Sequence, residues 1–297
     1  MHLGNLFTAL MSWLSARSRG DKWILRIEDL DPQRSKRDFA LMIEDDLDWL
    51  GLRPDEGGIR RGGSCGPYLQ SERSSLYEEA LTGLKAIGMA YPCSCTRADI
   101  MATQAPHLSD GRVIYAGTCR PASLPAPYRE PQKPCSVRIF VPDETIAFDD
   151  EICGPTEVNL ARECGDFVLR RADGAWAYQL AVVVDDALMG VTEVVRGNDL
   201  LHSSAQQIYL YRLLGYEPPR FAHVPLICNA SGLRLSKRDS SLSMEALRSR
   251  YTAPEIIGRL AWMAGLISKP YPCRPEELIP LFSLGALPAG EKIIASC

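Results

Sequence analysis

The chain has 297 residues, 46% of them apolar and 24% charged, the texture of a globular protein with a large core and about two domains. A formal charge of −4 excludes a globally basic nucleic-acid binder but leaves room for a local basic surface. The ten cysteines are scattered through a chain too long to need disulfide staples, and no run approaches the ~20 apolar residues that span a bilayer. A reduced, cytoplasmic location without membrane contact is expected.

Met1-His2-Leu3-Gly4-Asn5 opens an amphipathic helix in which Leu6, Phe7, Leu10, Trp13 and Leu14 recur at steps of three and four. The stretch lacks the basic n-region of a secretion signal. Trp23–Glu28 reads as a buried strand ended by Glu28-Asp29-Leu30-Asp31-Pro32. A helix follows from about Lys36, with Phe39, Met42, Ile43, Leu47 and Leu50 on its inward face and Gly51 as its stop. This helix–strand–helix start belongs to a parallel α/β sheet, where ligands sit at the carboxyl ends of strands, beside Glu28 and Asp29. Residues 51–67 form a Gly-rich loop, and Ser71–Ile87 a helix facing inward through Leu76, Ala80, Leu81, Leu84 and Ile87.

From Tyr91 the texture changes to prolines, short apolar runs such as Val137–Val141, and potential metal ligands, as in an inserted β-rich module. Regular α/β patterning returns with Asp166–Arg171 and Trp176–Asp186. A strand Val191–Val195 then leads into Arg196-Gly197-Asn198-Asp199, followed by a helix near Ser203–Leu214 and a strand Phe221–Cys228. Asn229–Asp239 is a polar loop. From about Leu242 the chain is helical and then Pro-rich.

Two separated stretches point to phosphate. A helix N-terminus presents unpaired N–H groups and positive dipole charge. Gly4 would let a nucleotide lie against the backbone, and His2 can donate to a phosphate oxygen. Arg234-Leu235-Ser236-Lys237-Arg238 is a basic loop whose lysine could reach the same phosphates; an ordinary helix start and a solvated loop are the plainer readings of each alone. Cys93-x-Cys95 with Tyr115-x-x-x-Cys119 supplies three thiolates and a phenol, two close pairs laid out as in a zinc knuckle. Tyrosine is an unusual fourth ligand, since its pKa near 10 makes the phenolate costly without a metal. His107 competes for that position, and free buried thiols are the alternative.

The His-x-Gly-x helix start, the Arg-Leu-Ser-Lys-Arg loop and an α/β sheet split by an insertion together resemble the class I aminoacyl-tRNA synthetases. Arg26-Ile27-Glu28-Asp29-Leu30-Asp31, Tyr68-Leu69-Gln70-Ser71-Glu72-Arg73, Val184-Asp185-Asp186 and Arg196-Gly197-x-Asp199 look like the glutamyl branch. Too few residues follow Arg238 for an anticodon-reading domain. A truncated glutamyl enzyme with this zinc module resembles the glutamyl-queuosine tRNA(Asp) synthetases, which activate L-glutamate with ATP and attach it to queuosine in the anticodon loop of tRNA(Asp).

The resemblance implies an α/β fold: a Rossmann-like parallel sheet split by a small zinc-binding α+β insertion, with a helical C-terminal segment. The expected division is 1–91 for the first catalytic half, 92–165 for the insertion, 166–240 for the second half with the basic loop, and 241–297 for the C-terminal segment. It also implies His2, Gly4 and Asn5 at the phosphates and adenine of ATP, with Asn5 departing from the family's commoner histidine. Ser236 and Lys237 belong to the mobile loop, whose lysine joins His2 in catalysis. Glu28, Tyr178 and Arg196 hold glutamate, and Cys93, Cys95, Tyr115 and Cys119 hold one structural Zn²⁺. ATP is a substrate, taken with Mg²⁺, and a monomer is expected.

In these enzymes a strand and a turn precede the His-x-Gly tetrad in the centre of the sheet. Met1 is therefore expected to be an internal methionine, with the true start roughly 15 residues upstream, enough for one strand and its turn. Two other functions fit the same residues: a truncated glutamyl-tRNA synthetase paralogue that charges a tRNA 3′ end, and a zinc-stabilised RNA-binding module without catalysis.

Overall fold

The computed structural model describes residues 1–31, 35–102, 114–229, 242–290 and 292–294. Its elements in chain order are α1 (Leu3–Arg19), β1 (Ile24–Leu25), α2 (Arg37–Leu50), β2 (Glu56–Gly57), α3 (Ser74–Ala86), β3 (Ala90–Cys93), α4 (Arg97–Ala102), β4 (Ser136–Ile139), β5 (Thr145–Asp150), β6 (Gly154–Asn159) and β7 (Val168–Arg170). They continue with α5 (Tyr178–Leu188), β8 (Glu193–Gly197), α6 (Leu201–Leu214), β9 (Arg220–Val224), β10 (Leu226–Cys228), α7 (Met244–Arg248), α8 (Ala253–Met263), α9 (Pro275–Leu278) and β11 (Lys292–Ile294).

The fold is mixed α/β. Parallel pairing joins β1 to β2, β8 to β9, β5 to β9 and β10 to β11, while β3–β4–β7 and β5–β6 are antiparallel. The hairpin β5–β6 lies within the span 92–165 but extends the sheet of β8 and β9, in the order β6–β5–β9–β8. Among the described residues β1 has β2 as its one strand partner and β8 has β9. Both strands line a single cleft with α1. No described helix is long and apolar enough to cross a membrane.

Two apolar cores flank that cleft. One is built on α1, whose Leu6, Phe7, Leu10, Met11 and Leu14 are fully buried against α8 and the C-terminal turns. At ~25 cal/mol per Å² of apolar area, each such side chain contributes roughly 1.5–3 kcal/mol, so α1 is fixed by packing rather than by propensity. Gly20 ends it with φ = 73°, the left-handed cap that glycine adopts without strain. The other core packs α3, α5 and α6 around Leu180–Val184 and the strand residues Ile139, Ile146 and Val158.

Three sequence expectations change. Phe39 and Met42 do not face the core; they are 51% and 58% exposed. The buried face of α2 is instead Ala40, Glu44, Asp46, Leu47 and Leu50. The carboxylates are acceptable there because Glu44 accepts the backbone N–H of Ile59 and Asp46 pairs with Arg248 at 3.0 Å, so polar satisfaction rotates the helix away from its most apolar stripe. Phe221–Cys228 is two strands, broken at Pro225, whose missing N–H cannot join a ladder. Ile87, expected to face inward, caps the end of α3 and is 46% exposed.

Candidate functional site

The cleft between α1, β1 and β8 has a volume of about 790 Å³, in the range that encloses small ligands. It gathers His2, Gly4, Asn5, Glu28, Tyr178 and Arg196, residues spread over nearly two hundred positions of sequence. His2 is the N-cap of α1, in extended backbone at φ = −129° and ψ = 168°. Asn5 Oδ1 accepts the His2 backbone N–H at 3.2 Å, closing a capping box across the first turn. A Cβ on Gly4 would stand 3.2 Å from His2 Cε1 and 3.3 Å from Nδ1. Gly4 therefore makes room for the imidazole against the helix.

Ser236 and Lys237 lie outside the described residues, as do His107 and most of Asn229–Asp239. The two flanks of the basic pentad are described, and both meet the helix mouth. On one side Ile227 of β10 lies next to Gly4. On the other, Ser243 bridges to His2, and the Met244 N–H donates to the Met1 carbonyl at 2.9 Å.

The charges of the cleft come from β8, α5 and the residues after β1. Arg196, at the end of β8, is 8% exposed. Its Nε donates to His223 Nε2 at 3.0 Å, and its Nη2 to Ser204 Oγ at 2.8 Å and the Leu200 carbonyl at 3.4 Å. Nη1 has no partner among the described residues, so the guanidinium can offer it to an anion in the cleft. Glu28 lines the same cleft, with Oε1 3.3 Å from Arg26 Nη2. Its side chain is 42% exposed, yet the surrounding cleft desolvates the carboxyl and raises it above the ordinary value, against the lowering effect of Arg26. Tyr178 opens α5; burial, and then the charge of Glu28, raise its phenol.

Beside these residues lies an ion-pair network that sequence reasoning left without a role. Asp186 Oδ1 accepts Arg26 Nη1 at 2.6 Å. The fully buried Asp185 accepts Arg73 Nε at 2.5 Å, Gln70 Nε2 at 2.8 Å and Tyr77 Oη at 2.9 Å. These bonds consume both carboxylates, so the pair is a structural anchor tying β1 and the Gln70–Arg73 turn to α5. Asp150 and His223 were missed as well. They sit 73 positions apart, and no local pattern announces them.

The metal ligand candidates converge at a second place, where β3 ends. The sulfurs of Cys93, Cys95 and Cys119 lie within 4.8 Å of one another. Cys95 Sγ is 3.5 Å from Cys119 Sγ, and Tyr115 Oη is 3.4 Å from Cys93 Sγ and 3.7 Å from Cys95 Sγ. A tetrahedral zinc with sulfur at 2.3 Å and oxygen at 2.0 Å would separate its ligands by about 3.8 Å for two sulfurs and about 3.5 Å for sulfur and oxygen. The donor set therefore fits such an ion in identity and spacing. The Cys119 N–H donates to Tyr115 Oη at 2.7 Å, but burial first and then the hydrogen bond with Cys93 outweigh it and hold the phenol well above its ordinary value, so a phenolate there needs a metal. Burial works against the Cys119 thiolate, but hydrogen bonds from the Ser94 backbone and Tyr115 bring the thiol down to about 7. Arg120, next to Cys119, grips buried Asp166 with two bonds of 2.8 Å, and Asp166 in turn accepts the Val141 N–H at 2.8 Å.

The profile of the family described as tRNA synthetases class I (E and Q), catalytic domain, matches residues 1–267. A glutamyl-Q tRNA(Asp) synthetase of Symbiobacterium thermophilum is 50% identical over 294 residues, covering 97% of this chain and 90% of that protein. One from Nitratidesulfovibrio vulgaris is 46% identical with the same coverage, and one from Deinococcus radiodurans 42% identical over 95% of this chain and 92% of its own. Among solved structures, a glutamate tRNA ligase from Elizabethkingia meningosepticum in complex with its amino acid superposes with a TM-score of 0.81 at 28% identity. The chain spans 64% of that longer protein, while the superposition covers 99% of this one.

Proposed function

Because the chain belongs to the glutamyl-Q tRNA(Asp) synthetases, ligases of the class I tRNA synthetase type, we propose that it activates L-glutamate with ATP and transfers the glutamyl group to queuosine in the anticodon loop of tRNA(Asp). The observation that carries this reading is the convergence in one cleft of a helix mouth suited to phosphate and a cation–carboxylate wall suited to an amino acid. Glutamate is a zwitterion with an extra carboxylate. Arg196 takes the side-chain carboxylate through Nη1, Glu28 takes the ammonium, and Tyr178 closes the pocket beside them.

The substrate's α-carboxylate, already ionised, attacks the α-phosphorus of ATP in line, and pyrophosphate leaves. No protein base is required; catalysis consists of alignment and charge stabilisation. His2, Gly4 and Asn5 hold the nucleotide at the start of α1. Ser236 and Lys237 neutralise the departing pyrophosphate, and Mg²⁺ bound with ATP would add positive charge there. Lys237 is five positions from Leu242, at most about 18 Å of chain, and Ser243 is bridged to His2, which supports a shared phosphate site. A hydroxyl of queuosine's cyclopentenediol then attacks the acyl carbon, forming an ester and releasing AMP.

Cys93, Cys95, Tyr115 and Cys119 would hold one Zn²⁺, which would supply a structural cross-link and no reactive position. The cross-link pins the end of β3 to the 115–119 segment, and Arg120–Asp166 carries that fixation into the sheet. The four-part division at 91, 165 and 240 is retained as a proposal, with a monomeric enzyme in the cytoplasm, where its tRNA is found. The test is acceptor choice: glutamate should load tRNA(Asp) carrying queuosine and not tRNA(Glu). Loading of tRNA(Glu) at its 3′ end would instead identify a paralogue of the 3′-charging enzymes.

A further inference from the structure

Arg196 cannot hold glutamate unless its guanidinium is fixed, and the bonds that fix it form a chain running away from the substrate. His223 is fully buried, and its ring nitrogen Nδ1 lies 2.6 Å from Asp150 Oδ2. The other oxygen of Asp150 accepts three backbone N–H groups, from Ile152 at 3.1 Å, Cys153 at 2.8 Å and His223 at 3.1 Å. A carboxylate with this many donors is held ionised: burial opposes its charge, but the His223 ring N–H and the Cys153 N–H outweigh it and lower its pKa. Nδ1 of His223 is therefore the protonated nitrogen and Nε2 the acceptor. Nε2 receives Arg196 Nε–H at 3.0 Å and faces Ser204 Oγ at 3.3 Å. Phe221 closes the set, stacked 6.2 Å from the imidazole and lying 5.2 Å from the guanidinium carbon.

We propose that Asp150 and His223 are positioning residues, which hold Arg196 with Nη1 aimed into the cleft by keeping a neutral imidazole as acceptor for Nε. The proposal rests on the reading of Arg196 as the carboxylate-binding cation. Neither residue touches the substrate; they act through Arg196.

The arrangement makes glutamate capture sensitive to acid. A proton on Nε2 removes the acceptor and sets an imidazolium against the guanidinium. The groups facing His223 are Asp150 from β5, Arg196 from β8 and Asp199 beyond it. Burial, and after it the charge of Arg196, depress the imidazole against the opposing pull of Asp150 and Asp199, leaving its pKa below the ordinary 6.5. The acceptor is therefore present above pH 6.5 and is lost as pH falls through the lower folded-state value.

The test is glutamate-dependent ATP–pyrophosphate exchange by the full chain between pH 5 and 8, with separate KM values for glutamate and ATP. The parent should show a glutamate KM that climbs below pH 6.5. His223→Leu should raise the glutamate KM roughly tenfold or more at pH 7.5, the loss of about one hydrogen bond to a charged group, with little effect on the ATP KM. His223→Gln, whose amide oxygen can stand in for Nε2 but does not titrate, should bring the glutamate KM back toward the parent's and remove the His223 part of the acid limb, leaving only the part that comes from protonation of Glu28. An unchanged glutamate KM in a folded His223→Leu protein, or an acid limb in His223→Gln that coincides with the parent's, overturns the proposal. Absence of glutamate-dependent exchange in the parent would instead refute the functional reading on which it rests.

Discussion

Replacing Arg196 by glutamine tests the proposed amino-acid pocket at its most committed residue. Nε and Nη2 are engaged by His223, Ser204 and the Leu200 carbonyl, so one nitrogen, Nη1, and the full positive charge remain for the substrate. A hydrogen bond to a charged partner contributes about 1.5–3 kcal/mol. That corresponds to roughly a 10- to 150-fold rise in the glutamate KM. Glutamine keeps a polar end for Ser204 and His223 but carries no charge. Arg196→Lys should fail almost as badly, since one ammonium cannot serve both His223 and a carboxylate from the guanidinium's position. The assay is pyrophosphate exchange with glutamate and ATP varied in turn; the ATP KM should stay within about twofold, because Arg196 is assigned to glutamate and not to the nucleotide. A glutamate KM unchanged by Arg196→Gln would refute the assignment.

Other consequences concern the scaffold. Asp185→Ala leaves Arg73, 2% exposed, as an unpaired buried charge and strips partners from Gln70 and Tyr77, so urea unfolding should reveal a loss of about 3–5 kcal/mol. Metal analysis of the purified chain should find one zinc per molecule, and Cys95→Ser should lose it and lower Tm. Tyr115→Phe should weaken zinc retention under chelator challenge, and Tyr115→His, which restores a good ligand, should recover it. Equal retention in Tyr115→Phe would remove the phenolate from the coordination shell.

Much of the site could be read from the sequence because its residues sit in short motifs at element boundaries. His2 and Gly4 begin a periodic helix, Arg196 ends a strand, and Cys93-x-Cys95 ends another. What could not be read depends on distant pairing. Asp150 and His223 meet only because β5 and β9 are neighbours, a register set by Asp150 opposite Phe221. The inward face of α2 was misplaced for a related reason: hydrophobicity favours Phe39 and Met42, but Glu44 and Asp46 find partners only in the folded chain. Pro225 carries a signal for the break between β9 and β10 that the reading of Phe221–Cys228 as one strand passed over, since proline cannot donate to a ladder.

The most direct measurement is transfer of labelled glutamate to purified tRNA(Asp) in two matched forms, one with queuosine at the anticodon and one without, each with its 3′ end removed. Label should enter the queuosine-containing tRNA alone. Label in neither form, from a preparation that still forms glutamyl-adenylate, would contradict the account.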